Sequence, residues 1–292
     1  MSKQNKIQIA VVGAGYWGKN LVRNYAQLGA LGAICDSNQQ ALASFKKDYP
    51  DIKCLSNFQD LLNDQDIHGV AIAAPAEMHF SLAREALLSG KDVFVEKPLS
   101  LNLSDAQELK EIAEKNARIL MVGHLLQYHS AFIKLKELIK QGELGRIHYI
   151  YSNRLSFGKI RTEEDILWSF APHDISMILS LANESPEFVM ATGGNYLHKK
   201  IADVTTTHLE FPSGLKAHVF VSWLHPFKEQ MLVVVGDKNM AVFKDTVDWE
   251  NKLFLYPHNI NWHNGVPIPD KKEATKVQVE QSEPLKAECT HF

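Results

Sequence analysis

The sequence predicts two folds in tandem: an α/β domain built on a doubly wound parallel sheet, then an α+β domain with a large, mostly antiparallel open sheet. Three observations predict this. Up to Gly123, short apolar runs alternate with helix-patterned stretches, as in a parallel sheet with helices on both faces. The first apolar run leads straight into Gly13-Ala14-Gly15-Tyr16-Trp17-Gly18. After Gly123 the alternation stops and strand patterns follow one another across turn sequences, as hairpins do. A length of 292 residues also suits two domains, expected at 1–123 and 124–292.

In order, residues 7–12 read as a strand, 17–28 as a helix and 31–35 as a second strand closed by Asp36. Helices are expected near 38–47, 77–89 and 104–116, and strands near 69–73, 92–95 and 118–122. In the second half an amphipathic helix over 131–140 stops at Gln141-Gly142, a glycine C-terminal signal. A strand over 147–154 and a polar loop over 156–165 precede a helix expected over 174–181. Strands then follow at 187–193, 204–211, 216–223, 231–235 and 240–243, with hairpin turns at Pro212-Ser213-Gly214 and Gly236-Asp237-Lys238-Asn239. Near the end, Ser282-Glu283-Pro284 is a helix start, and Leu285, Cys289 and Phe292 fall at helical spacing. A stripe ending on an exposed Phe is expected to continue, so a truncated chain is expected.

Bulk properties exclude several classes. Hydrophobic residues make up 45% and charged residues 22%, ordinary for a soluble globular protein. The formal net charge of -3 and scattered Lys and Arg argue against nucleic acid as a partner. No apolar run approaches the ~20 residues of a membrane helix, and the polar start before residue 7 does not resemble a signal peptide. Cys35, Cys54 and Cys289 lack metal-type spacing, so no metal is expected. They read as reduced thiols of a cytoplasmic protein.

The chemistry concentrates in a few motifs. In the glycine run, Gly13 permits the tight turn, Gly15 lets backbone N–H groups approach a pyrophosphate, and Gly18 lets helix pack on strand. The helix N-terminus then faces the phosphate charge, so the turn, with Tyr16 and Trp17, is expected to hold a dinucleotide. Asp36, 18 positions after Gly18, is placed to accept from the adenosine ribose hydroxyls and to repel a 2′-phosphate, which favours NAD over NADP. Asp36-Ser37-Asn38 is also a turn sequence. Ala74-Pro75 ends a later strand, and His79 lies either near the cofactor or on a helix surface. Glu96-Lys97-Pro98 ends the run Val93-Phe94-Val95, so Lys97 is expected at the carboxyl edge of the sheet, where such folds bind ligands. A partly desolvated lysine there can transfer a proton or donate to a hydroxyl.

His173 and Asp174 are expected to open the helix over 174–181. With an unperturbed pKa of ~6.5, a histidine aimed at a cleft suits a general base, while a structural role stays open on spacing alone. Asp174 is also a plausible helix N-terminal carboxylate. Arg154, Lys159 and Arg161 lie in or before the loop leading to His173. They suit a uronate or diphosphate, or are solvated charges.

Together these residues resemble the Gfo/Idh/MocA oxidoreductase family over nearly the whole chain. The resemblance rests on Gly13 to Gly18, Ala74-Pro75 with His79, Glu96-Lys97-Pro98, Gly123-His124 followed by Tyr128, Gly145-Arg146-Ile147 and His173. It implies an N-terminal Rossmann domain that binds NAD and a C-terminal domain whose open sheet commonly forms an oligomer interface, hence a dimer or tetramer. It implies that Lys97 is the active-site lysine and His173 the catalytic histidine. Ala74, Pro75, His79, Glu96 and Pro98 would then border the cofactor. Tyr128, Arg154, Lys159, Arg161, Trp168, His173 and Asp174 would border the substrate. Two positions depart from the family pattern: the Asp often four residues before the histidine is Ser169, and the usual Arg-Phe is Gln127-Tyr128.

The stretch Gly158-Lys159-Ile160-Arg161, leading to Leu167-Trp168-Ser169-Phe170-Ala171-Pro172-His173-Asp174, is similar to a narrower branch that oxidises the 3-hydroxyl of UDP-N-acetylglucosaminuronate or a related nucleotide sugar. The expected reaction takes the hydroxyl proton to His173, with Lys97 hydrogen-bonded to the same oxygen, and passes hydride to nicotinamide. Two rivals stand beside it: a hydrolase or lyase that uses bound NAD transiently, and a non-catalytic dinucleotide-binding regulatory module.

Overall fold

The computed structural model describes residues 6–162 and 164–292. The polar start at 1–5 and position 163 of the polar loop lie outside the described residues. The chain divides into two compact units, residues 1–124 with 285–292, and residues 125–284.

In the first unit, β1 (Ile9–Val12), β2 (Leu31–Cys35), β3 (Lys53–Leu55), β4 (Gly69–Ile72), β5 (Asp92–Glu96) and β6 (Leu120–Gly123) form one sheet in the order β3-β2-β1-β4-β5-β6. Every pairing in it is parallel. Helices α1 (Gly18–Gln27), α2 (Gln39–Asp48), α3 (Phe58–Asn63), α4 (Ala76–Leu88) and α5 (Leu103–Lys115) connect the strands. Covered on both faces, β1, β4 and the centre of β5 are buried throughout, which is why they read as continuous apolar runs. The strand order reverses between β1 and β4, so their carboxyl ends define the crevice where ligands of such sheets bind.

The second unit opens with a 3-10 turn (Leu125–Tyr128) and α6 (Ser130–Lys140). It continues with β7 (Ile147–Leu155), α7 (Ile166–Ala182), β8 (Phe188–Gly194), β9 (Val204–Glu210), β10 (Lys216–Ser222), β11 (Glu229–Gly236), β12 (Met240–Lys244) and β13 (Leu253–Tyr256). After these come the hairpin β14 (Asn259–His263) with β15 (Val266–Asp270), then β16 (Thr275–Lys276). The large sheet runs β16-β13-β12-β11-β7-β10-β9-β8; β7 with β10 is a parallel pair and the remaining neighbours are antiparallel. Phe132, Leu135, Met177 and Ile178 from α6 and α7 join Ile150, Val219, Val234 and Trp223 in one core.

Three features differ from the sequence reading. Helix α7 begins at Ile166, where Asp165 caps it by accepting from Trp168 N at 2.9 Å. Pro172 lies inside this helix. It removes a single i→i−4 bond, and the apolar run Ile166-Leu167-Trp168 carries the helix across it. His173 is therefore inside a helix rather than at its start, and Asp174 is not a first-turn carboxylate.

The second difference is at the other end. α8 (Pro284–His291) and Phe292 follow the second unit in sequence, yet residues 285–292 belong to the first. Phe292, expected to be exposed, is half-buried, with its ring 5.9 Å from that of Phe94. The third is a set of short elements, β3, α3 and β13 to β16, whose two to six residues carry little periodicity.

A buried ion pair holds α7 to the large sheet. Arg154 Nε on β7 donates to Asp174 Oδ2 at 2.6 Å, and Ser152 Oγ donates to Asp174 Oδ1 at 2.5 Å. Gln230 on β11, with its amide turned to satisfy both neighbours, accepts from Arg154 Nη1 at 3.1 Å. Removing one member leaves a buried charge unpaired, so Arg154→Met is expected to lower the unfolding free energy by about 3–5 kcal/mol. Arg154→Met combined with Asp174→Leu should lose clearly less. Urea denaturation checks this, and equal losses would contradict it.

Candidate active site

Each site residue of the first unit is placed by the turn that follows a strand. After β1 the chain bends at Gly13, where φ is +82° and a Cβ would lie 2.7 Å from Ala74 N. A Cβ on Gly18 would overlap Gly13 O, whereas one on Gly15 would meet nothing within 4 Å. The turn is thus packed against backbone at its two ends and open at its middle, the shape a pyrophosphate needs. Tyr16 and Trp17 stand exposed beside it.

Asp36 follows β2 and ties it to this turn. Its Oδ2 accepts from Ala14 N at 2.7 Å and its Oδ1 from Asn38 N at 2.8 Å. A carboxylate offers about four acceptor sites, so capacity remains on both oxygens for a ribose diol. These residues fit an NAD adenosine and pyrophosphate.

The turns after β4 and β5 are joined by His79. Buried at 2% exposure on α4, it contacts Pro98 O through Nδ1 at 2.7 Å and Ala74 O through Nε2 at 2.8 Å. It braces the two turns from inside, which is its place instead of a helix surface. Lys97 is half-buried between Glu96 and a buried Pro98, and the Lys97-Pro98 peptide is cis.

Glu96 completes the circuit by accepting from Trp17 Nε1 at 2.5 Å. Burial pushes its carboxyl up to about 7, against the Trp17 hydrogen bond and the Lys97 charge, which favour the carboxylate. His124, after β6, has its pKa lowered by burial first and by the Lys97 charge second. An ammonium, a carboxyl and an imidazole therefore lie within electrostatic reach at the carboxyl edge of β5 and β6.

In the second unit, Gln127 Nε2 donates to Ser176 Oγ at 2.8 Å, joining the turn that carries Tyr128 to α7 one turn beyond His173. Ser169 and Ser176 flank His173 at helical spacing on that face. Lys159 is exposed, Arg161 pairs with Glu164 at 3.1 Å, and Trp168 is 41% exposed. Arg154 and Asp174, expected beside a substrate, bind each other, and both are buried. Their charges are engaged in holding α7 in place.

Sequence reasoning missed the Trp17 to Glu96 bond and the bracing role of His79. Both join residues far apart in sequence, and only the adjacency of β1, β4 and β5 could have disclosed them.

A glycine turn closed against the neighbouring βα turn, an acid ending β2 and a lysine ending β5 define a dinucleotide-dependent oxidoreductase. Comparison with known proteins agrees. Residues 7–124 match the model "Oxidoreductase family, NAD-binding Rossmann fold", and residues 132–242 match "GFO/IDH/MocA C-terminal domain". Inositol 2-dehydrogenase of Salmonella typhimurium is 29% identical over 251 residues, 80% of this chain and 73% of that protein. UDP-N-acetylglucosamine 3-dehydrogenase of Acidithiobacillus ferrooxidans is 26% identical over 265 residues, 89% of this chain and 80% of its own length. A solved structure of that enzyme superposes with a TM-score of 0.83 at 23% identity, covering 97% of this chain and 87% of the other. The 2,7-anhydro-N-acetylneuraminate hydratase of Mediterraneibacter gnavus is 29% identical over 248 residues, 78% of this chain and 65% of that protein. The chain belongs to the Gfo/Idh/MocA oxidoreductase family, and its cofactor is NAD.

Gly13→Ala places a side chain both in the left-handed region and against Ala74 N. The conformational cost alone is ~1–2 kcal/mol, so NAD affinity is expected to fall by about tenfold or more. Titration of NAD against the variant reads this directly, and unchanged affinity would contradict the cradle.

Proposed function

We propose that the protein is an NAD-dependent sugar dehydrogenase that oxidises a ring hydroxyl, the 3-hydroxyl of a nucleotide-linked sugar such as UDP-N-acetylglucosaminuronate. One observation carries the reading: Lys97 ends β5 in a turn that Glu96 and His79 tie to the glycine turn and to Ala74. These contacts hold the turn that carries Lys97 at the carboxyl edge of the sheet, which supports a role for its ammonium beside the cofactor. The similarity to a UDP-N-acetylglucosamine 3-dehydrogenase supports the substrate class.

Bound NAD supplies the two-electron acceptor. Lys97 donates a hydrogen bond to the reacting hydroxyl oxygen and stabilises the alkoxide character that develops there. His173 takes the hydroxyl proton as general base. The C–H electron pair leaves as hydride, and a C=O bond forms on the sugar. Lys159, Arg161, Tyr128 and Trp168 are the side chains of this reading that meet the nucleotide sugar, the two cations through its oxyanions. The reading includes a cytoplasmic homo-oligomer, dimer or tetramer, formed through the large sheet, and the exposed Phe188, Val189 and Met190 of β8 support that interface.

A second reading is favoured by the likeness to a hydratase: oxidation is transient, and the hydride returns to the sugar after elimination. The two readings differ in net redox change. Incubation with NAD and UDP-N-acetylglucosaminuronate is expected to accumulate NADH and a keto sugar in equal amounts. Turnover of a sugar without net NADH would overturn the dehydrogenase reading in favour of the second. Lys97→Ala and His173→Ala are each expected to lower kcat by about 10²–10⁴ while NAD affinity stays within a few-fold. Retention of full activity by either variant would remove that residue from the mechanism.

A further inference from the structure

Glu288 is buried at 0% exposure on α8, and neither carboxyl oxygen has a hydrogen-bond partner among the described residues. A buried carboxyl in that state calls for an explanation. The register of α8 on β5 supplies one. Phe292 packs against Phe94 with the two rings tilted at 54°, and Glu288 lies one helical turn before Phe292, on the same face of α8. Glu96 lies two residues after Phe94, on the same face of β5. Both Phe94 Cζ and Glu96 Oε2 approach Gly123 to within 3.0 Å of where its Cβ would lie. The Glu96 charge acts on Glu288, so the packing of Phe292 against Phe94 brings the two carboxyls within electrostatic reach of each other.

We propose that Glu288 is a positioning residue for Lys97, held as a neutral acid beside Glu96 so that the two carboxyls carry one negative charge and Glu96 keeps it. The single carboxylate then receives Trp17 Nε1 and faces the Lys97 ammonium. This rests on the reading of Lys97 given above.

The groups facing Glu288 agree with it. Burial, then the Glu96 charge, push the Glu288 carboxyl up to about 8. From α1, the Tyr25 hydroxyl lies against Cys289 and within reach of both acids, and its pKa is raised well above the usual phenol value, by burial first. From β5 and β6 the charged or titratable neighbours of Glu96 are Lys97 and, beyond it, His124. The Glu96 charge already opposes ionisation of Glu288, so a second negative charge there meets repulsion. The two acids lose their protons in turn over about pH 7 to 8, a property of the pair. Above that range a second buried charge repels Glu96 and loosens its hold on Trp17 and on the Lys97 turn.

Glu288 keeps its proton in the folded chain to about pH 8, whereas an unfolded Glu loses it near pH ~4.3. The folded state binds the extra proton between these values, so stability falls across that window as pH rises.

Glu288→Gln preserves the shape and removes the ionisation. In the full-length protein it is expected to flatten the fall of Tm between pH 5 and 9 and to move the alkaline decline of NAD affinity up by about one pH unit or more. It should also remove from the wild-type infrared spectrum the carbonyl stretch of a protonated acid, which titrates away above about pH 8. Glu288→Leu, of similar volume, should reproduce the Tm and affinity effects if the amide is poorly accommodated. Unaltered pH profiles in both variants, or no protonated-acid band lost with Glu288, would overturn the proposal. None of these readouts uses a sugar, so they decide the role of Glu288 even if the sugar reading fails. With active enzyme, the kcat/KM profile should shift with the affinity profile at unchanged acidic limb, and a uniform drop in rate would mark Glu288 as merely structural.

Discussion

The site depends on a closed circuit of contacts among three turns at one edge of the parallel sheet. Gly13 touches Ala74 because neither offers a bulky side chain there. Ala74 is held through its carbonyl by His79, and His79 holds Pro98 through a second carbonyl. Glu96, two residues before Pro98, returns to Trp17 in the glycine turn. Each contact constrains φ and ψ at a loop that would otherwise be mobile, and together they fix where Lys97 begins. The glycine turn and the turn that carries Lys97 are thus joined by contacts within the protein itself.

The second unit solves a parallel problem with charge. A helix interrupted by Pro172 loses one backbone bond, and the residue after it is His173. The Arg154, Asp174 and Ser152 cluster fastens that helix to β7 immediately beside the histidine. Buried ion pairs add little net stability because desolvation offsets attraction, but breaking one is costly, which suits a device that holds geometry. The Gln127 to Ser176 bond adds a neutral tie on the next turn. Where a family pattern places Arg, this chain has a residue that anchors the turn bearing Tyr128.

Much of this was legible in the sequence. The glycine turn, Asp36 and the strand ending at Lys97 were readable because buried parallel strands are continuous apolar runs bounded by turn residues. The roles of His79, Arg154 and Asp174 were not, because their partners lie in other elements: 19 residues separate His79 from Pro98, and 20 separate Arg154 from Asp174. The start of helix α7 at Ile166 was not legible, because Pro172 interrupts the helical pattern that Asp165 caps. Glu288 was unreadable for a related reason. In sequence it is an unremarkable helix carboxylate, and only the return of α8 to the first unit buries it.

The circuit is tested most directly by opening it at the residue that no ligand needs to touch. In His79→Ala, kcat and the dissociation constant of NAD are measured on the same preparation. A displacement of catalytic groups by about 1 Å costs on the order of 10²-fold in rate. With the circuit open at this point, kcat is expected to fall by about tenfold or more while NAD binding changes by a few-fold at most. Unchanged kcat in a folded His79→Ala protein would contradict it, since the Lys97 turn would then be held without the brace.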